Sequence, residues 1–146
     1  MKSEEFVLTE NISKNEKKWA VTLCCEEEEK LEIKVANVVE YLAKIYGKNS
    51  SLVISYIDAT GLYGDALTLR GNEEGSFNLS FSEMLCFLRE EGQLIELEAT
   101  LIKNEIELFK IIVRDGVSID VLGCGELLPV SILGKYLAVE PALFLW

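Results

Sequence analysis

The chain switches between a two-residue and a three-to-four-residue hydrophobic period, and the switches mark its elements. Between residues 17 and 25, Trp19, Val21 and Leu23 alternate with polar or small neighbours, the pattern of a half-buried strand. An acidic run at 26–29 follows. Residues 30–46 support two readings. Leu31, Ile33 and Val35 alternate with Glu32 and Lys34, which makes a second strand and turns 26–29 into a hairpin tip. Leu31, Val35, Val38, Leu42 and Ile45 also share one helical stripe, with the glutamates at the positive end of the helix dipole. Because Ile33 misses that stripe and Asn37 with Glu40 resembles a capping pair, the pattern is read as strand to Ala36 and helix over 37–46. Gly47 ends this helix, with Lys44 in its last turn.

Residues 52–57 form a β-rich run, and 66–69 is expected to return beside it across a turn containing Gly61 and Gly64. Phe77, Leu79 and Phe81 alternate with Ser76, Asn78 and Ser80 as a further strand. Ser80-Phe81-Ser82-Glu83 has the form of a capping box and opens a helix over 82–91 that Gly92 stops. Ile95, Leu97, Ala99 and Leu101 then alternate with Glu96, Glu98 and Thr100. The chain turns at Lys103-Asn104-Glu105, returns over 106–113, turns at Asp115-Gly116 and finishes a meander over 94–122 with Val117, Ile119 and Val121. After the Gly123-Cys124-Gly125 breaker, 131–139 is expected to be a last short helix. The tail at 141–146 is apolar and must pack somewhere, because such surface costs roughly 25 cal/mol per Å² in water. Together these elements predict a single α+β domain over 1–146. Its sheet is curved and mainly antiparallel, with about five to seven strands, and two or three short helices cover it.

Composition fits a folded chain: 49% of the 146 residues are hydrophobic and mean hydropathy is +0.20, too apolar for charge-driven disorder. The absence of histidine excludes the Ser-His-Asp triad, the Cys-His pair and nearly all catalytic zinc sites. Four cysteines at 24, 25, 86 and 124 lack C-x-x-C spacing and read as reduced thiols. Asp58-Ala59-Thr60-Gly61-Leu62-Tyr63-Gly64-Asp65 is the segment most like a cation-holding loop, but it lacks the ligand density of a calcium loop and reads as turn chemistry. Gly123-Cys124-Gly125 is half of a dinucleotide fingerprint, since Leu occupies position 128, so no cofactor is expected. The acidic amino terminus gives no signal peptide, which leaves the Asn11-Ile12-Ser13 glycosylation triplet without a secretory route. Pro129, Gly134, Lys135, Glu140 and Pro141 interrupt the apolar carboxyl end, so no membrane span is expected and a cytoplasmic location is.

Charge sharpens this picture. Net charge is −11. The excess lies in the middle, where residues 51–100 hold two arginines against nine carboxylates and no lysine occurs between Lys48 and Lys103. The run at 26–29 is partly offset by Lys14, Lys17, Lys18, Lys30 and Lys34 and reads as a solvated turn. The candidate binding residues are therefore Glu96, Glu98, Glu90, Glu91, Glu73, Glu74, Asp58 and Asp65, with Glu96 and Glu98 about 7 Å apart on one strand face. Their field would repel nucleic acid and anionic membrane and attract a basic protein. The expected function is that of a non-enzymatic acidic protein-binding module, an inhibitor or immunity-type protein that neutralises a basic, toxin- or nuclease-like partner. Two other classes fit the sequence. A dimeric acidic chaperone or adaptor for a secreted effector would use the apolar tail or the 106–113 strand, the tail also serving a homodimer. A carboxylate-dependent enzyme or metal-binding protein would use the loop from Asp58 to Asp65.

Overall fold

The computed structural model describes residues 18–140 apart from 27 and 49. The element order is β1 (Lys18–Leu23), α1 (Leu31–Tyr46), β2 (Ser50–Ala59), α2 (Leu62–Glu74), β3 (Phe77–Leu79), α3 (Phe81–Leu88), β4 (Leu94–Lys103), β5 (Ile106–Arg114), β6 (Ser118–Cys124), α4 (Val130–Leu133) and β7 (Tyr136–Val139). The seven strands form one antiparallel sheet in the order β3-β2-β4-β5-β6-β1-β7. This is the α+β architecture the sequence pattern predicts. Lys14, Lys17, the triplet at 11–13 and the tail at 141–146 lie outside the described residues.

The main core lies between one face of the sheet and the helices. Trp19, Val21 and Leu23 of β1, Leu52 and Ile54 of β2, Leu97, Ala99 and Leu101 of β4, Phe109 and Ile111 of β5 and Ile119 and Val121 of β6 meet the α1 stripe Leu31, Val35, Val38 and Leu42 and the α3 residues Met84, Phe87 and Leu88. Gly123 faces Trp19 on β1 and Phe109 on β5. Because it has no side chain, the indole lies over the strand and meets Phe109 edge-on, with centroids 5.8 Å apart at 64°. Tyr46, at the end of α1, closes on the same phenyl ring at 5.3 Å. Gly123 and Cys124 thus belong to β6 and do not break it.

Three elements differ from the sequence reading. Residues 31–36 are helix, because the stripe of Leu31, Val35, Val38 and Leu42 is what the sheet covers; Ile33, the residue that argued for a strand, is exposed. Lys34 is buried with Nζ 3.7 Å from Glu29 Oε1, so the alternation through Glu32 and Lys34 has no solvent-facing meaning. Asn37 and Glu40 do not cap anything. Asn37 is exposed mid-helix, and Glu40 accepts a 2.8 Å bond from Arg89 Nη2 that ties α1 to the end of α3. That bond and the guanidinium charge hold the Glu40 carboxyl below its usual pKa.

Residues 66–69 lie within α2 instead of pairing with β2. The Thr68 hydroxyl accepts the Ala59 N–H at 3.0 Å and sits 2.8 Å from the Gly64 carbonyl oxygen, fastening the helix to the strand before it. Residues 131–139 split. Gly134, with φ of 65°, ends α4 after four residues, and Tyr136–Val139 pairs with Ala20–Leu23 as an edge strand. The expected 82–91 helix runs over Phe81–Leu88, opened by the predicted capping box: Ser80 Oγ accepts the Glu83 N–H at 3.0 Å.

A Cβ on Gly123 would lie 2.3 Å from the Trp19 ring. Gly123→Ala should therefore lower unfolding free energy by about 1–3 kcal/mol, the usual cost of overpacking. Urea titration followed by Trp fluorescence checks this, and an unchanged midpoint would show that the indole has room to move.

Candidate functional site

The described helices contribute to the core on one face of the sheet, so the parity of each strand decides which side chains reach the other face. In β2 the register shifts between Ile54 and Tyr56. Leu52 and Ile54 point to the core before the shift, and Ile57 and Ala59 do so after it. The bulge thereby places Tyr56 and Asp58 on the second face. A further shift occurs where Asp58 meets Glu96 and Ala59 meets Leu94. It buries Leu94 in place of the expected Ile95 and keeps Glu96 and Glu98 on the face with Asp58.

The register then aligns Tyr56, Glu98, Ile112, Asp120 and Thr22 across five strands, with Asp58 beside Glu96 in the next row. Tyr56, Asp58, Ile95, Glu96, Glu98, Ile112, Arg114 and Asp115 line an open groove of about 670 Å³. Four of these are carboxylates and one is a cation. Tyr56 is 57% exposed. Glu96 Oε1 accepts the Asp115 N–H at 3.1 Å, which fixes the β5–β6 turn whose Asp115 and Gly116 both have positive φ. Asp120, largely buried, accepts the Thr22 hydroxyl at 2.6 Å one strand beyond Ile112. Ala20, Ile112 and Leu122 form a small second apolar cluster on this same face.

Three of the eight expected binding residues, Asp58, Glu96 and Glu98, therefore come together; the other five do not join them. Glu90 is a helix cap. Its two oxygens accept the Tyr63 and Gly64 N–H groups at 3.1 and 2.9 Å, at the positive end of α2. The loops before α2 and β4 cross there, and a Cβ on Gly92 would fall 1.9 Å from the Thr60 carbonyl oxygen. Asp65 lies in the first turn of α2, and Glu91 is exposed just after α3. Glu73 and Glu74 end α2, where Glu74 pairs with Arg70 at 3.0 Å. Asp58 is thus a strand residue and Asp65 a helix residue, so the segment between them is not the loop that the metal reading requires. Among the described residues no group of three or more carboxylate or thiol side chains is placed to hold a metal ion.

The run at 26–29 is partly compensated, by Lys34 on Glu29 and by Lys135, 3.3 Å from Glu26, a partner the sequence reading does not contain. Glu27, Lys14 and Lys17 lie outside the described residues. Cys24, Cys25, Cys86 and Cys124 are not joined in disulfides, and the Cys124 thiol lies 3.8 Å from the Glu107 carbonyl oxygen. Partial desolvation and the Glu29 carboxylate push the Cys25 thiol up, which disfavours its thiolate. Of the 106–113 strand, Phe109, Ile111, Ile112 and Val113 are buried, and Ile106 at its start is exposed. No helix among the described residues is long and apolar enough to cross a membrane. Sequence reasoning missed Tyr56, Arg114 and Asp115 at the groove and Asp120 in the strand beyond it. Arg114 and Asp120 share the parity of the polar positions in the meander and were legible there, whereas the bulge that exposes Tyr56 leaves no local signal.

Glu90→Gln should weaken the α2 terminus by about 1 kcal/mol and increase amide exchange at Tyr63 and Gly64, while Glu91→Gln leaves both unchanged. Equal effects of the two substitutions would contradict the capping role. Set against protein-family models, curated proteins and solved structures, the chain finds no match in any of the three comparisons.

Proposed function

We propose that this chain is a non-enzymatic acidic protein-binding module that receives a basic protein surface at the groove on the second sheet face. Its action there is that of an inhibitor or immunity-type protein, covering the cationic working surface of a toxin- or nuclease-like partner. The observation that carries this reading is the meeting of Asp58, Glu96 and Glu98 around one groove, beside the exposed ring of Tyr56. Converging carboxylates accelerate encounter with a cationic partner, and a tyrosine at the centre of such a patch is a favoured anchor for an arginine or an apolar stem. The three carboxylates and the ring are carried on adjacent paired strands, so little ordering entropy is lost on binding.

Glu90 and Glu74 are occupied within the fold, and the reading assigns them no contact. Asp65, Glu73 and Glu91 add to the field that draws a basic partner in. Arg114 sits at the same groove as a counter-charge and gives register to a partner that carries a carboxylate among its cations.

Affinity capture from the native cell should recover a basic protein that is released as salt is raised, because surface charge is screened within about 8 Å at physiological ionic strength. With that partner in hand, Glu96→Lys combined with Glu98→Lys should slow association by about tenfold or more at low salt, while the lost bond to the Asp115 N–H lowers stability by no more than about 1 kcal/mol. An unchanged association rate, or binding insensitive to salt, would remove this face as the interface.

A further inference from the structure

Helix α2 sets small residues inward and leaves two of its three leucines outward. Its inward side carries Gly64, against Ala59 and Phe87, the half-buried Leu67, and Gly71, nearest Ile57 and Phe77. Its outward side carries Leu62, 82% exposed, Leu69, 58% exposed, and the exposed Ala66 between them. Residues 62, 66 and 69 fall on one face at helical spacing, and with Glu73 the stripe runs roughly 16 Å along the axis. Glycine within a helix costs about 1 kcal/mol relative to alanine, and exposed leucine returns nothing to the fold. The packing among the described residues gives no account of the exposed leucines.

We propose that the Leu62–Ala66–Leu69 stripe is a docking surface for an amphipathic helix of a partner protein that carries lysine or arginine beside its own apolar stripe. The small Ala66 between two leucines offers a hole for an incoming knob, the geometry of helix-on-helix packing. The flanks supply the charge preference. Asp65 and Glu73 border the stripe, while the one cation of the helix, Arg70, is turned away, its guanidinium 4.5 Å from the Phe77 ring and bonded to Glu74. A second copy of this chain is a poor occupant, because stacking α2 on itself would bring carboxylates together. This surface lies on the helix-bearing side of the sheet, opposite the groove, so it is separate from the binding reading above.

A fluorescent leucine–lysine amphipathic peptide about four turns long, with a scrambled peptide of the same composition as control, is the probe. Fluorescence anisotropy should show the amphipathic peptide binding about tenfold tighter than the scrambled one. Leu62→Gln combined with Leu69→Gln should remove that difference, and Ala66→Arg should do the same by filling the hole and reversing the local charge. Glu96→Gln combined with Glu98→Gln should leave it in place, which separates this surface from the groove. Circular dichroism of each variant reports folding, and the Ala66 variant decides if the leucine variant unfolds. Equal binding of the two peptides, full retention of the difference in the stripe variants, or a dimer in sedimentation that the stripe variants dissolve would each overturn the proposal.

Discussion

The constraint on which the rest depends is the parity of β2. Its two halves both bury alternate residues under the helices, Leu52 and Ile54 in one and Ile57 and Ala59 in the other, and these two sets are out of phase by one residue. The register shift between Ile54 and Tyr56 absorbs the difference. Without it, either Ile57 and Ala59 would leave the core or Tyr56 and Asp58 would enter it. Burying an uncompensated carboxylate costs several kcal/mol, so the alternative register is closed off. The same irregularity that keeps the core apolar therefore sets Tyr56 and Asp58 beside Glu98 and Glu96.

Acidic residues in this chain divide into those that hold the structure and those that face outward. Glu90 caps α2, Glu32 accepts the Leu94 N–H at 2.8 Å where β4 begins, and Glu40 reaches Arg89 between two helices. Each of these satisfies a backbone or side-chain donor on a neighbouring element. Glu96 does both, accepting the Asp115 N–H while lining the groove. Negative charge by itself is thus a poor guide to a binding surface. What distinguishes Asp58, Glu96 and Glu98 is their placement on adjacent strands with the same parity.

The sequence showed those parts of the fold whose causes are local. Ser80 and Glu83 form their capping box within four residues, and the meander follows from alternation and the turns at Asn104-Glu105 and Asp115-Gly116. Residues 31–36 were ambiguous because Leu31 and Val35 satisfy both periods, and only the sheet above them selects the helix. The expected strand at 66–69 failed because α2 is fastened by Thr68 and by glycines, which carry no hydrophobic pattern. β7 was hidden because Tyr136–Val139 is held by its pairing with β1, more than a hundred residues earlier in the chain. At the site, Glu96 and Glu98 followed from simple alternation, but their meeting with Tyr56 and Asp58 depends on a bulge that leaves no composition signal.

Backbone amide shift mapping on titration with a short arginine-rich peptide tests most directly whether the groove is the binding surface. Progressive perturbation concentrated at Tyr56, Asp58, Glu96, Glu98, Arg114 and Asp115, and reversed by salt, is the predicted result. Perturbation centred instead on residues 26–29 or on Glu73 and Glu74, with the groove unmoved, would contradict the account.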